Sequence, residues 1–302
     1  MYPSAHSFDY IECLFISSSQ AVRDSPLEGN SIHSVESALS HVEDRLSQGL
    51  SRWLVVAVND HPGLDQVDAS GFCVARFLHK ASSLWSRNQA MFIADVGLSP
   101  YLSSGQSVIL ENGIIDCEAS YQAVIRLALR FAEAGAHYVA PCLSLPEQTI
   151  RLRDALRLHQ LSCGLMPYST KFSSSLYGPY RSTVGSSLGF SRKSYQFDFS
   201  DSRQALHQMS EDFLQGARMS IVKPALPYLD VLQDACRQFS HPIAAYHVSG
   251  EYAMAIHAAR EGLLDPVDYF AEIHAAMARC GARYVIGYAA DYFLQSSAQK
   301  TS

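Results

Sequence analysis

The stretch "SRQALHQMSEDFLQGARMSIVKPALPYLD", residues 202–230, contains one complete helix-and-strand unit. Residues 202–216 have helical periodicity and close on a glycine, which commonly ends a helix. Residues 219–223 follow as a short apolar strand, and two nearby prolines then interrupt regular structure. Lys223 stands at the end of that strand, where removing an ammonium group from water is costly. A lysine in this position therefore needs a chemical explanation.

The same alternation of helix and strand continues in both directions from this unit. Eight apolar segments are strand candidates: 10–16, 53–58, 90–96, 137–141, 163–168, 219–223, 243–248 and 284–288. Helix-period segments lie between most of them, most clearly at 34–46, 118–135, 146–159, 202–216 and 265–281. This α/β pattern predicts a (β/α)8 TIM barrel. A doubly wound open sheet is the competing arrangement, but no GxGxxG or P-loop follows an early strand.

Composition narrows the class of protein. The chain has 302 residues, 48% of them hydrophobic and 17% charged, with a net charge of −6. We predict a single domain over 1–302, with no nucleic-acid partner because basic runs are lacking. The longest apolar stretches, such as 52–58 and 283–290, are too short to span a bilayer. The first residues do not have the pattern of a signal peptide, so we expect a cytoplasmic protein.

The cysteines do not suggest a metal site or disulfides. There are seven, an odd number, and no two have CxxC spacing. Free thiols in a reducing compartment are the simplest interpretation, and we predict no metal and no cofactor.

The predicted barrel brings the C-terminal ends of its strands to one pocket. The polar residues at or just beyond those ends are Asp95, Cys142, Lys171, Lys223, Ser249 and Tyr288. Two lysines in one pocket disfavour each other's charge, and burial acts in the same direction. A neutral amine can add to a ketone and form a Schiff base. The alternative is that each lysine only extends its charged end to solvent, which is common at strand ends.

A long segment after the fifth strand has the composition of an active-site lid. Residues 169–193 are rich in Ser and Gly and include Arg181 and Arg192. Long loops inside a compact domain are usually lids or disordered. We predict a lid at about 169–195, whose arginines hold a substrate carboxylate.

Four segments also resemble one enzyme family. They are "TKFSSSLYGPYR" (170–181), "RKSYQFD" (192–198), "IVKPALPYLD" (221–230) and "YHVSGEYAM" (246–254). In this order they resemble the signature segments of porphobilinogen synthase, also called 5-aminolevulinate dehydratase. The resemblance implies a (β/α)8 barrel that condenses two molecules of 5-aminolevulinate into a pyrrole with loss of two waters.

The resemblance also implies roles for individual residues. Lys223 would form the Schiff base with the first substrate molecule and Lys171 with the second. Ser249 and Tyr288 would bind the carboxylate of the first molecule. Asp95 matches an aspartate near the amino group of that molecule.

The lid would serve the second substrate molecule. By the same resemblance, Arg181, Arg192 and Gln196 would bind the carboxylate of the second molecule as the lid closes.

The family's metal-binding segment is altered in this chain. Family members have DVxLCxYTSHGHCG, or a version with aspartates in place of the cysteines, and this chain has "DVGLSPYLSSGQSV" at 95–108. The three ligand positions are Gly97, Ser99 and Ser107, none of which is a good zinc or magnesium ligand. We therefore expect catalysis without a metal.

A second departure lies after the fourth strand. The family's APSDMMDGR becomes "APCLSLPEQ" at 140–148, so Cys142 replaces a serine and Leu143 an aspartate. Cys142 is thus a candidate catalytic group, with Gln106 as a second candidate to compensate for the lost metal. The same change raises the prospect of an altered substrate.

Three functional alternatives follow. The first is a metal-independent lyase of the porphobilinogen synthase type, and the second is a diverged Schiff-base enzyme with another product in a specialised pathway. The third is an inactive paralogue that serves as a binding subunit. Because the first strand begins at about Tyr10, we expect almost no N-terminal arm and a monomer or homodimer rather than the family's octamer.

Overall fold

The computed structural model describes residues 8–59, 63–68, 72–185 and 194–299. Within these ranges one parallel sheet contains eight barrel strands: β1 (Asp9–Ser17), β2 (Arg52–Val58), β3 (Met91–Asp95), β4 (Tyr138–Ala140), β5 (Gly164–Leu165 and Thr170–Lys171), β6 (Ser220–Lys223), β7 (Ile243–Tyr246) and β8 (Tyr284–Gly287). Each strand pairs with the next along the chain, and β8 pairs with β1. The sheet is therefore closed.

A helix follows each strand. These helices are α1 (Val35–Ser47), α2 (Cys73–Leu84), α3 (Cys117–Glu133), α4 (Gln148–Leu158), α5 (Arg203–Leu214), α6 (Leu229–Gln238), α7 (Pro266–Arg279) and α8 (Ala290–Gln299). Further elements lie in the connections between these strands and helices. They are the helices Asp65–Asp68, Gly178–Thr183 and Ser249–Arg260, the 3-10 helices Ser175–Tyr177 and Leu226–Tyr228, the strands Arg23–Asp24 and Ser31–His33, and a hairpin of Ile109–Glu111 with Ile114–Asp116. The prediction of a (β/α)8 barrel is confirmed.

Strand β5 is split in the middle, although its backbone joins both neighbours. The N–H groups of Met166 and Tyr168 donate to carbonyls on the β4 side, at 3.0 Å each. The carbonyls of Leu165 and Pro167 accept from N–H groups on the β6 side, at 3.3 and 2.9 Å. Proline has no N–H to donate, so Pro167 interrupts the ladder toward β6. Strand β5 therefore has two short halves, of which the first lies within the predicted segment 163–168 and the second beyond it.

The core has two layers separated by the sheet. Along β1, Ile11, Cys13 and Phe15 belong to the cluster inside the barrel, while Leu14 and Ile16 pack in the cluster that includes the outer helices. Both faces of a barrel strand are buried, which is why β1 is almost continuously apolar.

Some regular structure was not predicted. Helices α2, α6 and α8 and the helix Ser249–Arg260 are each 10 or 12 residues long, and at that length tertiary packing rather than intrinsic propensity stabilises a helix. Residues 169–193, the weakest segment for regular structure, contain the second half of β5 and the helix Gly178–Thr183 in their described part. Among the described residues no helix is long and apolar enough to cross a membrane. The single-domain assignment stays a prediction.

Candidate active site

Lys171 and Lys223 end neighbouring strands and lie directly opposite each other. The register of β5 and β6 pairs Lys171 with Lys223, and Thr170 with Val222. Laterally paired residues of parallel strands project to the same face of a sheet, so the two lysine side chains share one side. They are only 6% and 5% exposed. Two amines are thus held close together in a place where their charged forms are poorly hydrated.

Four tyrosine rings surround the Lys223 amine. Its Nζ lies 4.0 Å from the ring centroid of Tyr246, 4.8 Å from Tyr168, 5.2 Å from Tyr180 and 5.5 Å from Tyr177. Aromatic faces attract an ammonium group, whereas burial disfavours its charge. Burial, followed by the charge of Lys171, lowers the pKa of Lys223 from 10.5 to about 8. The rings therefore position the amine without keeping it fully charged at neutral pH.

Lys171 has a sulfur partner. Its Nζ donates a hydrogen bond of 2.6 Å to Sγ of Cys142, which follows β4. Both side chains are buried. A Cβ added to Gly97 would lie 3.8 Å from this sulfur. Cys142, which replaces the family's serine, therefore lies between Lys171 and the altered 95–108 segment.

Asp95 is connected to Lys223 through Tyr168. One oxygen of Asp95 accepts a 2.8 Å hydrogen bond from the Gly97 N–H, and the other accepts a 2.7 Å hydrogen bond from the Tyr168 hydroxyl. Burial, and then the Asp95 charge, raise the pKa of Tyr168 well above its usual value. Tyr168 thus keeps its proton and presents its ring to Lys223.

Ser249 and Tyr288 lie in the wall around the lysines, with different partners. Ser249 Oγ accepts a 3.0 Å hydrogen bond from the N–H of Tyr180, a lid residue. The Tyr288 hydroxyl lies 2.9 Å from that of Tyr246, whose ring contacts Lys223. Each hydroxyl therefore contacts a tyrosine residue whose ring lies beside the Lys223 amine.

The residues predicted to bind the second carboxylate are only partly described. Arg181 is half-buried, with its guanidinium carbon 5.6 Å from the ring of Tyr177. Arg192 lies outside the described residues. Gln196 is 5% exposed, yet neither its amide nitrogen nor its oxygen has a hydrogen-bond partner within the described ranges.

The backbone places Gln196 beside Lys171. The N–H of the next residue, Phe197, donates to the Lys171 carbonyl at 3.2 Å, and the Phe197 carbonyl accepts from Ser173 at 2.8 Å. A buried amide without partners is rare in a folded protein. The Gln196 amide lies beside Lys171, where it can bind a polar group of a ligand.

Tyr195 joins the predicted lid to the 95–108 segment. Its hydroxyl donates to Gln106 Oε1 at 2.8 Å and accepts from the Ser107 N–H at 3.3 Å. Sequence reasoning missed this contact and the tyrosines around Lys223. The available signal was that Tyr168 ends one predicted strand and Tyr246 lies two residues before the end of another.

The donors of the 95–108 segment do not fit the family's metal. Gly97 offers no side chain, and a Cβ there would lie 2.9 Å from Asp95 Oδ1. Serine hydroxyls at Ser99 and Ser107 are poor substitutes for thiolates or carboxylates. In the described part of the chain, no three His, Cys, Asp or Glu residues are grouped to hold a metal ion.

Comparisons with known proteins converge on one family. The sequence model described as delta-aminolevulinic acid dehydratase matches residues 4–296. The enzyme of that name from Helicobacter pylori is 32% identical over 290 residues, which cover 93% of this chain and 88% of the relative. The one from Streptomyces coelicolor is 35% identical over 203 residues, but the match covers 67% of this chain and only 62% of that relative.

A solved structure agrees over a larger part of the molecule. It is delta-aminolevulinic acid dehydratase (porphobilinogen synthase) from Toxoplasma gondii, in complex with the reaction product porphobilinogen. The two chains share 28% identity with a TM-score of 0.93, and the match covers 97% of this chain and 86% of that one.

Proposed function

This chain belongs to the delta-aminolevulinic acid dehydratase family, and on that premise we propose that it condenses two 5-aminolevulinate molecules into porphobilinogen through lysine Schiff bases. The observation that carries the proposal is the register of two buried lysines at the ends of β5 and β6. An inactive binding subunit would not need two amines whose burial is costly.

The first step is imine formation at Lys223. Its neutral amine adds to the ketone carbon of 5-aminolevulinate, forming a carbon–nitrogen bond. The ketone oxygen then leaves as water, taking both protons of the amine, and a neutral imine remains. A pKa of about 8 leaves a useful fraction of Lys223 neutral near pH 7. The tyrosine rings restrict the amine to one position, which favours attack on an oriented ketone.

The second step needs a neutral amine at Lys171, and Cys142 is placed to provide it. When the pair is an ammonium and a thiolate, transfer of one proton along the 2.6 Å contact yields an amine and a thiol. The amine can then form the second imine, and the thiol can return the proton to the departing oxygen. Cys142 would thus act as general base and then general acid.

Carboxylate binding divides between the two lysines. We assign Ser249 and Tyr288 to the first substrate, because both lie next to the residues around Lys223. For the second substrate we assign Arg181, Arg192 and Gln196. The buried amide of Gln196 next to Lys171, which has no hydrogen-bond partner among the described residues, supports this assignment.

We also propose that turnover requires no metal at the 95–108 segment, because the residues present cannot hold one. Asp95 is bound to the Gly97 N–H and to Tyr168, and it occupies the space that a ligand side chain at position 97 would need. The test is activity after exhaustive chelation, with metal content determined by elemental analysis. Loss of turnover that zinc or magnesium restores would contradict this proposal.

A second candidate is a related condensation with a different ketone at the Lys171 site. The observation in its favour is that Cys142, where the family has a serine, lies inside the barrel and contacts Lys171, while Leu143 packs in the outer cluster. A less polar second substrate would suit a wall in which a thiol replaces a hydroxyl. Incubation with 5-aminolevulinate alone, and then with added γ-keto acids, would separate the two candidates by the mass of the product.

The direct test is trapping of the first imine. Borohydride with 5-aminolevulinate should add one reduced adduct to the peptide that contains residues 219–230. Lys223→Ala should abolish both the adduct and turnover, while Lys171→Ala should keep the first adduct and block condensation. Absence of an adduct with any γ-keto acid would reject the Schiff-base mechanism.

Two broader expectations remain proposals. A monomer or homodimer, rather than an octamer, is to be tested by light scattering at micromolar protein concentration. A cytoplasmic location agrees with seven cysteines that are all free thiols, since such thiols persist in reducing compartments.

A further inference from the structure

A cavity lined by arginines opens at the end of the barrel opposite the lysines. Its volume is about 480 Å³, and its walls include the first residues of β4 and β5, the last turn of α4 and the turn before β6. Four arginines line it: Arg87, Arg153, Arg157 and Arg218. The size lies in the range of small-molecule sites. We name it the arginine cavity.

The positive charge of the arginine cavity is only partly balanced. Arg153 Nη2 is 2.8 Å from the Asp154 carboxylate, and its Nη1 donates to a backbone carbonyl at 3.0 Å. Arg87 lies over the ring of Tyr138, at 5.1 Å. Within the described ranges, Arg87, Arg157 and Arg218 have no carboxylate within 4 Å. Three uncompensated guanidinium groups thus share one cavity in a chain of net charge −6.

The helix dipole is a simpler explanation for an arginine at this place, but it accounts for only some of the four arginines. Cations are favourable in the last turn of a helix because of its dipole, and Arg157 occupies that position in α4. Arg87 and Arg218 lie outside helices, so the dipole does not explain why they point to the same cavity. Like charges held together in a concave site raise the local concentration of anions.

We propose that the arginine cavity binds a compact oxyanion with at least two negative charges, a phosphate or carboxylate compound. The planar fork of a guanidinium group matches both anions in bidentate geometry. The hydroxyl of Ser162, which also lines the cavity, can add a hydrogen bond. This site is separate from the lysine pocket and does not depend on the proposed reaction.

The test uses the full chain and two probes, pyrophosphate and citrate, which represent the two chemical sources. Titration calorimetry at constant ionic strength should give saturable binding at one site, and the tighter probe identifies the source. Arg157→Gln and Arg218→Gln should each weaken binding about tenfold or more, since a charge-assisted contact is lost. Arg218→Lys should weaken it less. Arg237→Gln, an exposed arginine at the end of α6, is the matched control and should have no effect.

A second measurement does not depend on how the variants fold. In the unaltered protein, the bound probe should slow hydrogen exchange at residues 161–166 and 216–218 and leave the lid unaffected. The proposal is overturned if neither probe binds saturably, if sodium chloride of equal ionic strength competes fully, or if a folded double variant binds as tightly as the original chain. Since no substrate is present, these outcomes are independent of the Schiff-base chemistry.

Discussion

At the scale of single residues, the proposed chemistry rests on two amines in different surroundings. Lys223 faces tyrosine rings, and its pKa of about 8 results first from burial and then from the charge of Lys171. Lys171 instead contacts a thiol. The two lysines therefore have different neighbours although they are paired in the sheet.

The pH dependence of imine trapping tests the environment of Lys223. The neutral amine reacts, so the trapping rate should rise with pH through about 8 and then level off. Lys171→Gln removes a neighbouring positive charge, so it should move this midpoint upward by a measurable fraction of a pH unit. Lys80→Gln, an exposed lysine on α2, should leave it unchanged. A midpoint near that of a free lysine would show that burial does not control this amine.

The role of Cys142 is tested by restoring the serine found in its relatives. Hydroxyl groups do not accept and release protons near neutral pH as thiols do. Cys142→Ser should therefore lower kcat by about 10²-fold or more, in the range of general acid–base catalysis. The first adduct at Lys223 should persist, which separates loss of the proton carrier from loss of fold. Unchanged kcat with an unchanged pH profile would mean that the sulfur only fills space. Cys236→Ser, away from the lysines, is the matched control.

At the scale of elements, the predicted lid is coupled to the loop after β3. Tyr195 binds Gln106 and the Ser107 backbone, while the next residues hydrogen-bond the end of β5. The 95–108 segment therefore supports the residue that precedes Gln196, which is a structural role that does not depend on a metal.

Removal of the Tyr195 hydroxyl tests this coupling. Tyr195→Phe removes both hydrogen bonds with little change in volume, so the free energy of unfolding should fall by only about 1 kcal/mol. KM should rise several-fold, because Gln196 and the lid arginines lose their support, with a smaller change in kcat. Tyr284→Phe, at the start of β8, is the control. Equal kinetics for the two variants would separate the lid from the 95–108 segment.

At the scale of the whole molecule, two buried histidines make stability depend on pH. His247 and His274 have rings 5.9 Å apart and pack on Phe270, and Phe8 and Tyr10 also contact His274. Burial lowers the pKa of His247 from 6.5 to about 4. The folded state therefore favours the neutral ring, and this stabilisation is complete above pH 6.5 and is lost as the pH falls toward 4.

The expected size of the effect is about 1.4 kcal/mol per pH unit for one such histidine. Buried carboxyls oppose it: burial raises the pKa of Asp212 to about 6 and that of Glu251 to about 8, so both favour folding at lower pH. Urea unfolding of His247→Leu isolates the histidine, since the carboxyls are common to both proteins. The slope of stability against pH should flatten between pH 6.5 and 4, and the exposed control His207→Leu should keep it. An unchanged slope would show that burial does not disfavour the charged form of His247, because a proton acceptor stabilises it.

The sequence by itself determined the barrel and the positions of its reactive groups along the strands. Alternation of apolar and helical segments is a local property, readable within about ten residues, and it predicted a strand at each of the eight places. Lys223 ends one of those strands, and Cys142 and Lys171 lie just beyond the ends of two others. Resemblance to a family then suggested what these groups do.

Only the tertiary structure decided which of these groups touch. Lys171 and Lys223 are 52 positions apart, and they meet because β5 and β6 pair in one register. The contact of Cys142 with Lys171 and the position of Gln196 beside Lys171 have the same origin. Distances between segments depend on how the sheet closes and the core packs, and a residue pattern within one segment does not contain that information.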